Sequence, residues 1–437
     1  MAQNISSSAS LPSQDRPQRG AWRVTFLLLL FMLINFSDKI VVGLAAAPIM
    51  AELGLSHQEF GLLSTAFFFL FPASAVIVGF LSRRFQTKSV LLVLAVLWSV
   101  LQFPMLGAVS LEVLIICRLL LGAAEGPAQP LTLHATYKWF PDALRALPTA
   151  VIAQGSALGV ILAVPVLNWI IVHHSWHWAF GAVGAAGLLW VLTWLILGEE
   201  GKLGSRTTSI ADAVEEKVPL RYLFTCPSII AVCCAGFASY WGLALGLTWF
   251  TDYLVSGLGY SQTVGGNLTI LPWIAGMLAV LGGGVLLQRL KKAGVSSRFS
   301  RGILPCTGLV LGGLILLPLS HVISPGVKIG FLVAGTAIGS VIYIAIPMIV
   351  SELTPDSQRS AVLAIITAIN STAGVMAPLV MGAVVQNATS PLAGYDSGYA
   401  ILGCFLLAGG IIGLIFIQPE LDATRLSKLR VIVPVTT

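Results

Sequence analysis

The sequence predicts an all-α polytopic membrane protein, with twelve spanning helices in two pseudo-symmetric bundles of six. Three observations predict it. First, only 10% of the 437 residues are charged, 57% are hydrophobic and the mean hydropathy is +0.91; a soluble domain carries about 25% charged residues. So few charges cannot cover a surface in water, which excludes a soluble enzyme, and the wealth of Leu, Ile, Val and Phe excludes disorder. Second, apolar runs recur twelve times, and a spanning helix needs about 20 such residues. Third, the basic residues fall on alternate connections.

Residues 1–21, rich in Ser, Gln and Pro, read as a flexible cytoplasmic tail. They lack the short apolar stretch and cleavage site of a secretory signal, so the first span is expected to stay. Apolar runs follow at 22–47, 58–82, 88–108, 111–135, 146–170 and 176–197. A polar loop over 198–226, with Glu199, Glu200, Asp212, Glu215 and Glu216, separates an N-terminal bundle (22–197) from a C-terminal one (227–417). The second six runs lie at 227–254, 265–288, 301–320, 326–350, 358–385 and 397–417, before a cytoplasmic tail over 418–437. The halves echo each other: Gly79-Phe-Leu-Ser-Arg-Arg and Gly284-Val-Leu-Leu-Gln-Arg each end the second span of a half. Parallel repeats of six spans with a site between them near the midplane describe one transporter architecture.

Of the 24 Lys and Arg residues, 21 fall in the tails and on one set of alternate connections, from Arg16, Arg19 and Arg23 to Arg425, Lys428 and Arg430. The opposite connections contain only Lys328. The positive-inside rule then places both termini in the cytoplasm, as expected of a multi-pass protein of the inner (plasma) membrane. The six cysteines, without a CxxC pair, read as small buried hydrophobes. The net charge of +6 reflects this topology and needs no nucleic-acid partner.

Two bases remain, Lys39 and Arg118, and both lie inside spans with an acid nearby: Asp38 in span 1 and Glu125 in span 4. On insertion scales four such charges cost about 10 kcal/mol before pairing. Arg118 and Glu125 are two helical turns apart, on one face and about 10 Å along the axis. They are too far apart to pair ideally and instead bracket a substrate, a water or a charge from span 1. A static inter-helix salt-bridge network is the competing reading. The functional one is a site where protons and an anion bind together: a carboxylate in a dry cavity accepts a proton near neutral pH, and its protonation leaves positive charge that favours an anion.

In the second half Asp252, Glu352 and Asp396 fall at span ends, so proton chemistry is expected in the first half. Asn370 in span 11 and Gln154 and Ser156 in span 5 are expected to add polar contacts to the substrate, or else inter-helix hydrogen bonds. His134 lies on a possible proton path or simply packs. His173, His174 and His177, among Trp169, Trp176 and Trp178, read as an interfacial aromatic belt rather than a metal site. Without GxxxxGK[ST], HExxH or an elbow GxSxG, an ATP-driven pump or an enzyme is disfavoured and no cofactor is expected.

Over almost all of residues 25–417 the sequence resembles the major facilitator superfamily, and within it the anion:cation symporters that cotransport organic anions with protons. The resemblance rests on Asn35-Phe-Ser-Asp-Lys, Ser64-Thr-Ala-Phe-Phe-Phe, Arg118-x-x-x-Gly-x-x-Glu-Gly-Pro, Lys138-Trp-Phe-Pro, Thr248-Trp-Phe-Thr-Asp-Tyr-Leu and Asn370-Ser-Thr-Ala-Gly-Val-Met-Ala-Pro, in that order. It implies proton handling by Asp38 and Glu125 and anion binding by Lys39 and Arg118, with two bundles rocking about a central cavity. Sugar-acid transporters of that family place a Tyr where this chain has Phe71 and a Gln where it has Ala75. Lys39 replaces an Arg, losing bidentate recognition. The expected substrate is therefore a carboxylate with few hydroxyls, aromatic acids included. The loop motif after span 2 departs as well, at Arg83 and Gln86, with Gln288 in the repeat, which puts its gating role in doubt. The sequence thus predicts a monomeric, proton-coupled importer of a small organic anion, with a proton-antiporting exporter or a non-transporting receptor as alternatives.

Overall fold

The structure is a computed structural model that describes residues 16–81, 84–141, 144–203, 214–322, 324–429 and 431–434. Tail residues 1–15, Arg83 and loop residues 204–213 lie outside it, and with them the expectations for Arg83 and Asp212. Eleven helices among the described residues are long and apolar enough to cross a membrane. They include span 1 (Ala21–Leu44), span 2 (His57–Leu81), span 6 (Trp176–Leu197), span 7 (Pro227–Thr248), span 11 (Asp356–Gln386) and span 12 (Pro391–Phe416). Spans 3 (Thr87–Val100), 5 (Ala146–Ala153, Gly155–His173), 8 (Gln262–Leu268, Leu271–Lys292), 9 (Arg298–Ile303, Leu304–Leu316) and 10 (Pro325–Gly339, Ile342–Leu353) carry breaks or change helix type at one end. The twelfth is span 4, cut by Gly126 and Pro127 into Leu111–Glu125 and Ala128–Tyr137. A proline cannot donate to the preceding turn, so each piece alone is too short to cross. The twelve spans form the two six-helix bundles expected.

Small additions among the described residues depart from a chain of spans and loose loops. A short helix, Ala46–Leu53, follows span 1, and another, Pro419–Ser427, follows span 12. An antiparallel strand pair joins Val214–Lys217 to Val431–Pro434, tying the inter-bundle loop to the C-terminal tail. The last residues of the N-terminal tail are pinned too: the Gln18 N–H donates to Trp139 O at 3.1 Å. Cys404, expected to be buried, is exposed on span 12.

The basic face is held by caps supplied from beyond each sixth span. Glu200, after span 6, accepts from the backbone N–H groups of Thr87 (3.3 Å) and Lys88 (2.7 Å) at the start of span 3 and pairs with Lys138. Glu420, after span 12, accepts from Ser297 and Arg298 N–H at the start of span 9. Each acid satisfies orphan donors at the positive end of a helix, and the two sit in equivalent places of the two halves. Asp422 does the same for span 7 through Ser228, with its hydroxyl at 2.6 Å.

The halves are closed against each other at the face opposite the bases. Span 2 lies along span 11, where a Cβ on Gly61 would stand 2.8 Å from the Pro378 carbonyl oxygen. The Thr65 hydroxyl donates to Val375 O at 2.9 Å, and the His57 N–H to Gln386 at 3.1 Å. Amides complete the closure: Asn168 donates to Thr263 O at 3.1 Å, and Gln262 to Leu44 O at 2.9 Å and to Asn168 at 3.2 Å. By contrast, Ala128–Tyr137, Ala146–Ala153 and Ile342–Leu353, toward the basic face, pack chiefly within their own halves. The bonds that join the halves thus gather at the face opposite the bases.

Burial raises the Glu200 carboxyl, but the Lys138 hydrogen bond, the Lys88 N–H, the Lys138 charge and the Thr87 N–H together hold it below its ordinary value of 4.5. A depressed folded value means stability that is fully present above the ordinary value and lost as pH falls through the folded one. Glu200→Gln should therefore destabilise the detergent-solubilised protein at neutral pH by about 1 kcal/mol after allowing for partial exposure, seen as a lower melting temperature. The difference from wild type should vanish in acid; thermal melts across pH check both.

Candidate functional site

Span 1 places Asn35, Asp38 and Lys39 at i, i+3 and i+4, so all three share one helix face. Span 4 turns Arg118, Gly122 and Gly126 toward span 2. The glycines decide how close span 2 comes. A Cβ on Gly122 would lie 2.8 Å from the Phe67 carbonyl carbon, and one on Gly126 3.1 Å from that of Phe71. Small residues at this spacing let membrane helices meet backbone to backbone. The approach carries the rings of Phe67 and Phe71 in beside the charges.

The four intramembrane charges come together as one buried group: Asp38 is 1% exposed, Lys39 6%, Arg118 3% and Glu125 1%. Lys39 Nζ donates to Glu125 Oε2 at 2.6 Å, and Asn35 Nδ2 donates to the same oxygen at 3.0 Å. Lys39 also donates to the Asn35 side chain. The charge from span 1 that the spacing of Arg118 and Glu125 left room for is thus Lys39. Its ammonium stands 4.8, 5.7 and 5.6 Å from the ring centres of Phe36, Phe67 and Phe71, while the Arg118 guanidinium lies 4.6 Å from the Phe67 ring centre. Aromatic faces attract both cations and keep water away. Asp38 is held from span 3, where Gln102 Nε2 donates to Oδ1.

Four polar atoms in this group are buried without a hydrogen-bond partner: Nε and Nη1 of Arg118, Oδ2 of Asp38 and Oε1 of Glu125. Buried polar groups are nearly always satisfied. Here two donors and two acceptors are left over. The two acids and two bases are neutral as a set, so a proton on either carboxyl leaves the pocket net positive. Aromatic contacts next to it cross between the halves, with ring centres of Phe36 and Trp273 6.1 Å apart and those of Phe68 and Tyr240 6.3 Å apart. The site therefore lies beside the interface between the halves.

The other sequence candidates lie elsewhere. Asn370 faces span 7, packed on Gly236, and in the amide orientation that satisfies it donates to Cys233 O at 3.1 Å and Ile366 O at 3.3 Å. Ser156 donates to Ala153 O in its own helix at 3.0 Å, and Gln154 is half-buried at the break in span 5. His134 is exposed. His177 binds Glu52 at 2.9 Å and Met105 O at 2.6 Å, and no His, Cys, Asp and Glu grouping among the described residues has metal-ligand geometry.

Two features escaped the sequence reading. Gln102 is a lone amide in an apolar run, and that polarity was the available signal. The second half also holds buried charge: Lys328, counted above as a loop residue, lies in span 10 and pairs with Asp396, which accepts from Tyr253 at 3.2 Å. Asp252 beside it is 0% exposed and accepts from Ser256 at 2.6 Å and from Tyr395. These acids do stand at span ends, but tyrosines from neighbouring helices enclose them. Both carboxylates are fully partnered, unlike those of the first half.

Comparison with known proteins matches residues 27–378 to the model of the Major Facilitator Superfamily. The chain is 28% identical to the hexuronate transporter of Bacillus subtilis, over 89% of this chain and 92% of that protein. It is 27% identical to a probable sulfoacetate transporter of Cupriavidus necator, over 90% and 93%. Among solved structures, a bacterial homologue of the human lysosomal transporter Spinster, in an inward-facing and unoccupied conformation, superposes with a TM-score of 0.71. It is 18% identical, and the match covers 95% of this chain and 99% of that one.

Because the Lys39–Glu125 pair is buried, removing one partner strands the other. Lys39→Met or Glu125→Leu alone should each cost about 3–5 kcal/mol, and the double substitution should recover most of it. Chemical denaturation in detergent measures all three, and their departure from additivity gives the coupling.

Proposed function

The chain belongs to the Major Facilitator Superfamily, and on that premise we propose that it carries a small organic anion across the membrane by alternating access, together with protons. The observation that carries this reading is the Arg118 guanidinium, buried with two N–H groups unpartnered beside a carboxylate pair and its counter-ions. A buried guanidinium edge is a fork for a carboxylate or sulfonate. Hexuronate and sulfoacetate, the anions named for two relatives, both carry such a group.

The coupling follows from charge. With both acids ionised, the pocket is neutral and Lys39 is occupied by Glu125. A proton on Glu125 removes the partner of Lys39, so two cations then face the incoming anion. Anion and proton each favour the other's binding by the same factor, as linkage requires. Loss of the anion to one side returns Lys39 to Glu125 and expels the proton. Phe36, Phe67 and Phe71 around Lys39 support a substrate with few hydroxyls, since an unmatched hydroxyl finds no partner on a ring. Asn370, Gln154 and Ser156 are assigned second-half and span-5 contacts to the substrate that form as the halves close on it.

With the bases taken as cytoplasmic, the halves part toward the cytoplasm, both termini lie there, and the protein works as a monomeric importer in the inner membrane. The residue ranges 22–197 and 227–417 then act as the two rocking bodies.

Proteoliposomes test this with labelled hexuronate, sulfoacetate and benzoate. An inward proton gradient should drive accumulation of at least one of them. Glu125→Gln should abolish accumulation while keeping counterflow exchange, which needs no net proton movement. Full gradient-driven accumulation by the variant would show that Glu125 does not couple.

A further inference from the structure

Gln102 binds Asp38, and the preceding reading leaves it without a task. It sits where span 3 passes from α-helix into the 3₁₀ turn Phe103–Leu106, and it is 2% exposed. Its backbone is fixed at both ends: Gln102 N–H donates to Ser99 O at 3.3 Å, and Met105 N–H donates to Gln102 O at 3.1 Å. Span 6 presses the residue inward. A Cβ on Gly184 would stand 3.0 Å from both Gln102 Cβ and Ser99 O, so the glycine permits this close seat and leaves the amide directed at span 1. Nε2 then donates to Asp38 Oδ1, while Asp38 Oδ2 accepts nothing.

The surroundings of Asp38 make this bond consequential. The charged groups that face it are Lys39 of its own helix and Arg118 and Glu125 of span 4. Lys39 is drawn off to Glu125 at 2.6 Å. Spans 5 and 6, which also pack on span 1, present Gly155, Gly159 and Trp190 to it, all uncharged. A base in place of Gln102 would lock Asp38 as a carboxylate, and an acid would share its proton. An amide is neutral at every pH. It steadies one oxygen and leaves the other as the atom open to a proton.

We infer that Gln102 is a positioning residue for proton transfer: it orients the Asp38 carboxyl, reserves Oδ2 for the proton and sets the pH at which that proton is taken up. This rests on the reading of Asp38 as a proton carrier. A donated hydrogen bond favours the ionised form, so loss of the donor moves proton uptake to higher pH.

The test follows Asp38 directly, without a substrate. Infrared spectra of the detergent-solubilised full chain are titrated with pH, and the carbonyl band of protonated Asp38 is identified by its loss in Asp38→Asn. In Gln102→Met, which removes the donor at similar size, the midpoint of that band should rise by about one pH unit, a tenfold change in proton affinity. In Gln102→Glu, which keeps the shape but pairs two carboxyls, it should rise as well. The pH profile of gradient-driven uptake, for whichever probe anion the wild type accumulates, should shift with it. An unchanged midpoint in either folded variant overturns the assignment. A shifted midpoint with no accumulation by wild type supports the Gln102–Asp38 link and overturns proton-coupled transport, so the two failures are told apart.

Discussion

A charge cannot stay alone in a bilayer, and the contact between Lys39 and Glu125 is this molecule's answer to that constraint. It joins span 1 to span 4 at 2.6 Å, with both side chains buried. A pair at contact in a medium of effective dielectric 20 attracts by about 4 kcal/mol, while each ion loses several kcal/mol of hydration. Balance of this kind makes the pair conditional. On the proposed coupling it holds while both members are charged and gives way when one is neutralised or a competing anion arrives. A leucine pair would hold the helices as well and respond to nothing.

The surrounding structure serves that conditional pair. Gly122 and Gly126 bring span 2 against span 4 so closely that Phe67 and Phe71 close over the cations. The same Gly126, with Pro127, breaks span 4 just after Glu125, where an unbroken helix would carry on without the interruption. Span 3 enters through Gln102, and span 6 makes room for it at Gly184. At the face opposite the bases, the halves meet through Asn168, Gln262 and backbone carbonyls. Uncharged amides suit the opening and closing that alternating access, as proposed, would ask of this contact, because they part without stranding an ion in a low dielectric. The fully partnered Lys328–Asp396 pair in the second half has no such freedom, with Tyr253 closing it in.

Much of this was legible in the residues. Span number follows from hydropathy and from the alternation of bases, both one-dimensional signals. The four intramembrane charges stood out because each is costly on its own, whatever its neighbours. What was not legible depends on which helices meet. Lys328 is close enough to a span end to read as a loop residue, and only the packing of spans 10 and 12 with Tyr253 buries it. Asn370 and Ser156 are polar in apolar runs, as Gln102 is, and nothing in the order of residues tells an amide that turns to its own helix or a neighbour's backbone from one that reaches a carboxylate. The strand pairing of Val214–Lys217 with Val431–Pro434 joins segments that lie half a chain apart.

The central claim is that anion and proton bind as a linked pair at the Lys39–Glu125 contact. Its most direct test is the pH change when a binding anion is added to purified protein in a nearly unbuffered solution above neutral pH. Hexuronate, sulfoacetate and benzoate are the anions to try, with thermal stabilisation as the independent sign that one has bound. The account predicts that protons are taken up from the medium on binding, and that Glu125→Gln abolishes that uptake while the anion still binds. Stabilisation by the anion with no movement of protons in the wild type would contradict it.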